Sequence, residues 1–380
     1  MVLQRDLPAT SSRPAPSPPR AGRSWGVDLG RAVAALAVVV IHACAAGSGI
    51  VRSSTATVRE LVSFAVPFFL ATSAVFAVRS IAATRSAWAV ARQRLSRLLL
   101  PYAAWTLIYI ALKAASSKLA DDPERLHALF RDPGRLVLLG GASVQLYFLP
   151  MLAVGMLVLP LIDAAARRLR YRADAVGLVA VSIVPYWYLG WTGNAYDIAA
   201  GAGLRGWVDP NRTRALDAIV RVAIVALVWA ARLLPYLALG VLVRVYDLDR
   251  RRPRVVLIAA AVVFVVVEVG FRPFQPHILR ELGVAFPLLL LCFALRAPRA
   301  EGVASRAVAS IAKHSFGIFL AHTAVLQVVQ DLADRVKPGF LDQITPAKVL
   351  VTVVPTFLLA WGAAVLIDRM KPLRRLLVAG

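Results

Sequence analysis

The sequence predicts an all-α integral membrane protein, a polytopic bundle of about ten transmembrane helices without a soluble catalytic domain. Hydrophobic residues make up 59% of the 380 positions, whereas soluble domains contain about 45–50%. Apolar runs recur along the whole chain, and a helix needs about 17–25 such residues to cross a bilayer. Lys and Arg cluster between these runs, as they do in the cytoplasmic loops of membrane proteins.

Ten segments have the length and apolar character of a membrane span, and short polar loops separate them. In order, the spans are predicted at residues 26–47, 58–79, 97–118, 143–163, 174–192, 217–246, 254–271, 278–296, 307–331 and 346–368. The sixth span is long and contains Pro235, which predicts a break or a strong tilt in that helix.

The distribution of basic residues predicts the orientation of the bundle. With the N-terminus inside, the cytoplasmic segments carry roughly twice as many Lys and Arg residues as the external ones. Both termini are therefore predicted to be cytoplasmic, in a plasma membrane. Residues 1–24 are rich in Pro, Ser and Arg and contain no apolar signal sequence. We interpret them as a disordered cytoplasmic tail, residues 25–370 as the membrane domain, and residues 371–380 as a short basic cytoplasmic tail.

The composition also excludes several kinds of partner. The net charge of +23 would suggest nucleic acid in a soluble protein, but no basic soluble domain remains outside the spans. The lipid bilayer is the partner that this composition predicts. The two cysteines, Cys44 and Cys292, lie in apolar segments and have neither metal-ligand spacing nor a disulfide framework. No metal site is predicted.

The first span, GVDLGRAVAALAVVVIHACAAG, contains two residues that lipid penalises, Arg31 and His42. At 100° and 1.5 Å per residue they project from the same face of a helix, about 16 Å apart along its axis. Each could reach the nearer membrane surface by extending along the helix. Their shared face instead favours a cavity in the bundle interior, where intramembrane charged residues usually have a function.

Polar residues fall at two depths under the predicted topology. Three titratable residues lie at similar distances into spans that run outward from the cytoplasm: His42, Glu268 and His322. Tyr147 lies near the outer end of a span that runs inward. Several titratable groups at one depth predict a site near the outer face. His42 is the candidate general base, and Glu268 is predicted to orient its imidazole.

A second group is predicted near the inner face. Arg94 and Arg97 share a helix face at the start of the third span, and Arg31 and Ser73 reach the same depth. Pairs of guanidinium groups suit phosphate, because their N–H donors form a planar fork. Ordinary anchoring by basic residues at the cytoplasmic surface is the alternative for either arginine alone.

Four parts of the sequence resemble the membrane-bound acyltransferase 3 family, in the same order along the chain. Its first-span signature is an Arg followed after ten residues by a His. Tyr147 stands where the family commonly has Trp, Phe319 where it has Tyr, and Ala74 where it has Gly. The stretches that carry the resemblance are GVDLGRAVAALAVVVIHA, VPFFLATSAVFAV, RQRLSRLLLPY, and the pair QLYFLPML and HSFGIFLAHTAVL.

The resemblance implies an integral-membrane O-acyltransferase with an acyl-CoA donor, acetyl-CoA by default, and a hydroxyl acceptor on a cell-envelope glycan or its lipid-linked precursor. It implies that Arg31, Arg94 and Arg97, with Ser73, bind the donor. Tyr147, His322 and Ser315 are then candidates for substrate binding, and His322 or Tyr147 for polarising the thioester carbonyl. Direct transfer with His42 as base and a route through acylated His42 both remain open.

A secondary transporter or an exporter of a lipid-linked glycan or small metabolite is the alternative function. Proton-coupled carriers also place Arg, His and Glu inside the membrane. They often contain inverted repeats or paired broken helices, and the sequence has no detectable internal repeat. The sequence therefore favours the enzyme.

Overall fold

The chain is almost entirely helical in the computed structural model, which describes residues 24–45, 50–119, 121–190, 215–251, 253–270, 277–296, 298 and 302–378. The helices are α1 (Trp25–Cys44), α2 (Ser53–Leu61), α3 (Ala65–Thr84), α4 (Ala87–Leu119), α5 (Glu124–Phe130), α6 (Pro133–Leu138), α7 (Phe148–Arg167), α8 (Asp174–Gly190), α9 (Ala215–Tyr246), α10 (Leu248–Arg251), α11 (Arg254–Gly270), α12 (His277–Ala294), α13 (Val303–Val336), α14 (Pro346–Arg369) and α15 (Lys371–Leu377). Residues 1–23 of the predicted N-terminal tail lie outside the described part of the chain.

Seven helical stretches in the described residues are long and apolar enough to cross a membrane. The predicted fold class, an all-α polytopic membrane protein, is confirmed. The remaining three predicted spans coincide with α8, α11 and α12, which have 17, 17 and 18 residues. Their crossing of the bilayer stays a prediction. The seven stretches are Trp25–Cys44, Ser53–Thr84, Ala87–Leu119, Phe148–Arg167, Ile219–Tyr246, Val303–Val336 and Pro346–Arg369.

Helix α9 continues without interruption through Pro235. Of the two predicted alternatives for this span, a break is therefore wrong, and a strong tilt stays a prediction. A proline removes one backbone hydrogen bond and crowds the preceding turn. In a membrane bundle, neighbouring helices can compensate for that loss, and α9 packs closely against α3, α7 and α8.

Helix α1 is the central element of the site-bearing half of the bundle. It packs against α3, α12, α13 and α14. Its contact face is largely alanine: Ala34, Ala35 and Ala37 are at most 3% exposed. Small side chains allow helix backbones to approach closely in a membrane, where packing rather than hydrophobicity drives association. This packing turns one face of α1, including its polar residues, toward other helices instead of lipid.

At Gly26 the backbone of α1 lies very close to that of another helix, and a larger residue there is expected to lower the stability of the protein. A Cβ at this position would lie 1.9 Å from the backbone oxygen of Cys292 in α12, and backbone cannot rotate away. We expect Gly26→Ala to lower the free energy of unfolding by about 1–3 kcal/mol and to weaken activity, because α1 must shift. Thermal unfolding in detergent measures the change. Gly362→Ala in α14 is the matched control, since nothing lies within 4 Å of its added Cβ. Equal melting temperatures for the two variants would contradict the expectation.

Two connecting segments are joined at the end of the bundle where α1 finishes. Residues Ile50–Val51 form strand β1 and Gln343–Ile344 form strand β2, and the two pair in parallel. The Thr55 hydroxyl donates to the Ile344 carbonyl at 2.7 Å. The α1–α2 and α13–α14 connections are thereby fixed to each other, which sets α1 and α13 side by side.

The C-terminal segment, predicted as a short basic cytoplasmic tail over residues 371–380, is helical and docks on the bundle. Residues 371–377 form α15, which packs against α4 and α14. The indole N–H of Trp105 donates to the Leu377 carbonyl at 2.9 Å. Apolar residues at 373, 376 and 377 accompany the basic ones, and this amphipathic pattern explains why the segment docks on the bundle. Residues 379 and 380 are outside the described residues.

Candidate active site

A cavity of about 460 Å³ opens between α1, α3, α4, α7 and α13. Two walls differ in character. One is basic and hydroxyl-rich, and the other is formed by large apolar side chains. Five residues that the sequence singled out line this one cavity: Arg31, Ser73, Arg94, Arg97 and Ser315. The structure therefore brings together the whole group predicted near the inner face, and Ser315 with it.

Hydrogen bonds hold two of the arginines in place across helix boundaries. The Arg31 guanidinium donates to the Ser315 hydroxyl at 3.1 Å, from α1 to α13. The Arg94 guanidinium donates to the Ser80 hydroxyl at 3.3 Å, from α4 to α3. Each guanidinium carries five N–H donors. These bonds to hydroxyl groups help to fix the direction of the two guanidinium groups toward the cavity.

Arg94 and Arg97 are close enough to repel each other, and neither has a carboxylate partner in the described part of the chain. Neither forms an ion pair there, although intramembrane arginines usually pair with an acid. Two neighbouring guanidinium groups without a carboxylate partner among the described residues offer N–H donors in a planar fork, which suits a negatively charged group.

Lys313 is a further cation in the cavity that the sequence analysis missed. It lines the space with the three arginines and pairs with Asp368 of α14 at 2.6 Å. His314 also reaches Asp368, with 3.4 Å between Nε2 and the carboxylate. Lys313 directly precedes the HSFGIFLAHTAVL stretch, and that position was the available signal. In the sequence it could not be separated from ordinary basic residues at the membrane surface.

The apolar end of the cavity leads by ring contacts to the two histidines. Phe148 and Phe319 line the cavity, with ring centroids 5.0 Å apart. The Phe319 ring lies 5.9 Å from that of His322. His322 in turn lies 5.1 Å from His42, with the ring planes at 44°. His42 and His322, predicted at one depth from separate spans, are neighbours in the structure.

The shared face of Arg31 and His42 predicted that both residues border one cavity in the bundle interior. Arg31 lines the basic cavity, whereas His42 is not among its lining residues. The Phe148 and Phe319 side chains lie between the basic wall of this cavity and the two histidines, as their ring contacts indicate. One continuous cavity from Arg31 to His42 stays a prediction.

His322 is held in one tautomer by the backbone of its own helix. Its Nδ1 lies 2.7 Å from the Phe319 carbonyl and 3.2 Å from that of Ile318. A carbonyl only accepts, so Nδ1 carries the hydrogen, and Nε2 presents a lone pair. This Nε2 is fully buried and has no hydrogen-bond partner among the described residues. Such an atom is a ready acceptor for a proton or an N–H group.

Glu268 does not contact His42, so the predicted partnership between them is not formed. Within the described structure, its carboxylate lies 3.6 Å from Arg280 of α12, and Arg280 also donates to the Glu60 carbonyl. Helix α11 packs chiefly on α12, which places Glu268 beside Arg280 rather than beside α1. The charged group that acts on His42 electrostatically is instead Arg59, on α2. Glu268 is not used in the mechanism below.

A buried polar network lies beside His322. The sequence did not indicate that the residues of this network are in contact. The Tyr109 hydroxyl lies 2.7 Å from both the Leu320 carbonyl and the Thr323 hydroxyl. The Gln145 amide donates to the same carbonyl at 3.4 Å. Tyr147, a predicted substrate residue, is half-buried at the N-terminal end of α7. It lies next to Phe148, at the edge of the aromatic layer.

Helices of membrane-spanning length surround a basic cavity and a pair of histidines. These features define the class: a polytopic membrane protein with polar groups inside its helix bundle. Groups of three or more potential metal ligands are absent from the described residues. The chain belongs to the acyltransferase 3 family, because the family model described as an acyltransferase domain matches residues 24–365. It is an integral-membrane acyltransferase. No curated protein and no solved structure matches it.

Proposed function

We propose that this protein transfers an acyl group, acetyl by default, from acyl-CoA to a hydroxyl of a cell-envelope glycan or its lipid-linked precursor. The observation that carries the proposal is the cavity itself. Its basic wall, with Arg31, Arg94 and Arg97, suits the phosphates of CoA. Its apolar end stops one aromatic layer from two neighbouring histidines.

The dimensions support this donor. Arg31 and His42 are about 16 Å apart along α1, a distance comparable to the length of the pantetheine arm. With the phosphates at the arginines, the thioester would lie near the histidines after movement of Phe319. We further propose that the basic end faces the cytoplasm, where acyl-CoA is made, and that both termini lie there in a plasma membrane. The charge bias of the loops supports this orientation.

In the proposed reaction His42 accepts the proton of the acceptor hydroxyl as its oxygen attacks the thioester carbonyl. The ester bond forms, the C–S bond breaks, and the CoA thiolate takes the proton back from the imidazolium. His322 accepts a hydrogen bond at Nε2 from the remaining N–H of His42 and so stabilises the positive charge that develops on the His42 imidazolium. In the covalent alternative, His42 is acylated first and the acceptor then attacks acyl-His42.

Release of free CoA by the purified protein tests the function. In detergent or nanodiscs with acetyl-CoA and envelope glycan, we expect stoichiometric appearance of free thiol and of base-labile ester on the glycan. A transporter would leave the thioester intact, so transport without thiol release would reject the enzyme. Radiolabelled acetyl-CoA without acceptor separates the two routes, because only the covalent one leaves label on the protein.

Arg94→Ala tests the phosphate site. Loss of charged hydrogen bonds of this kind costs about 1.5–3 kcal/mol, which corresponds to an increase of about 10- to 100-fold in the KM for acetyl-CoA. The KM for a phosphate-free thioester, S-acetyl-N-acetylcysteamine, is expected to stay unchanged. Arg92→Ala is the matched control, since Arg92 is exposed on the same helix and does not line the cavity. A parallel increase for both donors would remove Arg94 from the phosphate role.

A further inference from the structure

A second polar cluster lies inside the bundle, away from the donor cavity, where α8, α9 and α12 meet. Arg232 of α9 donates twice to Glu281 of α12, at 2.5 Å from Nη2 and 3.2 Å from Nε. The Tyr186 hydroxyl of α8 donates to the same carboxylate. Three helices thus contribute to one bidentate, charge-neutral group, and the proposed reaction does not use it.

Two aromatic side chains on α9 extend the cluster and carry unused donors. Trp229 and Tyr236 stand three residues before and four residues after Arg232, so all three share one face of the helix. Trp229 is 2% exposed and Tyr236 is fully buried. By the geometry of the described residues, neither the indole N–H nor the hydroxyl completes a hydrogen bond, although the Tyr236 hydroxyl lies close to the Glu281 carboxylate. Buried polar groups are nearly always paired, so these two donors point to something that binds there.

The ion pair is more accessible than the aromatic residues around it. About a sixth of the Arg232 side chain (16%) and a fifth of that of Glu281 (22%) are exposed. Tyr186, by contrast, is 4% exposed. The ion pair is therefore not completely sealed by the aromatic side chains around it. A molecule that reached the ion pair would meet carboxylate acceptors and guanidinium donors together.

Helix α7 connects the cluster to the reaction centre. It packs against α9, which carries Arg232. Phe148 of α7 lines the donor cavity and contacts Phe319, which contacts His322. The ion pair and the donor cavity are thus both next to α7. A two-substrate transferase needs such an arrangement, because the acceptor and the donor must meet at one point.

We propose that the Arg232–Glu281 cluster is the acceptor site and that it binds an uncharged sugar ring. Sugar hydroxyls both donate and accept, so they match a carboxylate, a guanidinium and the two unused donors at once. Aromatic side chains suit the apolar faces of the ring. The cluster has no net charge, unlike the basic donor cavity, and so does not select an anion. This inference rests on the proposed function and adds the location and chemistry of its acceptor site.

Tyr236→Phe and Trp229→Phe test the site because each removes one unused donor and keeps an aromatic ring. The probes are the hexyl glycosides of glucose, galactose and mannose, with 1-hexanol as an acceptor that has no ring. For the preferred glycoside, we expect each variant to raise the KM by about three- to tenfold, the effect of one neutral hydrogen bond. The KM values for 1-hexanol and acetyl-CoA should not change.

Thr356→Val is the matched control, since it removes another fully buried hydroxyl without a partner, on α14. A purely structural hydroxyl at Tyr236 would behave like the control, with an unchanged glycoside KM, and that result would overturn the proposal. Equal use of 1-hexanol and every glycoside by the unsubstituted protein would overturn it too. Failure of the proposed function is distinguishable, because no acceptor would then release CoA.

Discussion

Replacing His42 by Ala is expected to abolish acyl transfer while the protein still inserts and folds. General-base catalysis contributes about 10²- to 10⁴-fold to a rate, and an alanine side chain cannot accept the proton of the acceptor hydroxyl. Initial rates of CoA release in the presence of glycan measure the loss. The stabilisation of the protein by bound CoA should persist, because the arginines of the donor cavity are unaltered.

His127→Ala is a suitable control, since this histidine is exposed on the short helix α5. Retention of more than a tenth of the normal transfer rate by His42→Ala would remove His42 from the role of base. Loss of CoA-dependent stabilisation together with the rate would show that the substitution had disturbed the fold of the donor cavity.

A substitution at His322 is expected to have the second largest effect, a loss of about 10²-fold or more in kcat. The reason is geometric: its ring is 5.1 Å from that of His42, and its Nε2 is the buried acceptor beside the reacting groups. Removing a preorganised group that stabilises developing charge typically costs about 10²- to 10³-fold. Steady-state kinetics with acetyl-CoA should show the change in kcat rather than in the KM for the donor.

Two further variants distinguish a chemical role of His322 from a packing role. His322→Gln keeps a polar side chain with an acceptor and is expected to retain more activity than His322→Ala. If the two histidines act as one unit, the double variant His42→Ala, His322→Ala should be no slower than His42→Ala alone. Full additivity of the two losses would mean that His322 contributes independently of His42.

The level of each polar residue along its helix could be predicted from the sequence, because helix geometry is regular. A helix advances 1.5 Å per residue and turns by 100°, so the face and level of a side chain follow from its position in a span. Arg31, Arg94 and Arg97 are set at one level in this way, and they share one cavity. His42 and His322 are likewise neighbours.

The sequence could not predict which residues of other helices lie beside those polar groups. Glu268 was predicted beside His42 from its level alone, but α11 packs on α12, and the Glu268 carboxylate lies beside Arg280. The ion pair between Arg232 and Glu281 joins residues 49 positions apart, and no local pattern indicates it. The contact between Phe148 and Phe319 likewise joins helices α7 and α13, and the spacing of charges gives no sign of it.

The sequence by itself therefore determined the membrane-embedded helical class, the levels of the polar groups along each helix, and the resemblance to the acyltransferase 3 family. These depend on short-range properties, namely hydropathy, helical periodicity and motif spacing. The tertiary structure decided which helices stand next to one another, and hence the histidine pair, the contribution of Lys313 and the docking of the C-terminal helix. Those features arise from contacts between residues far apart in the chain, where packing of whole helix faces selects the partner.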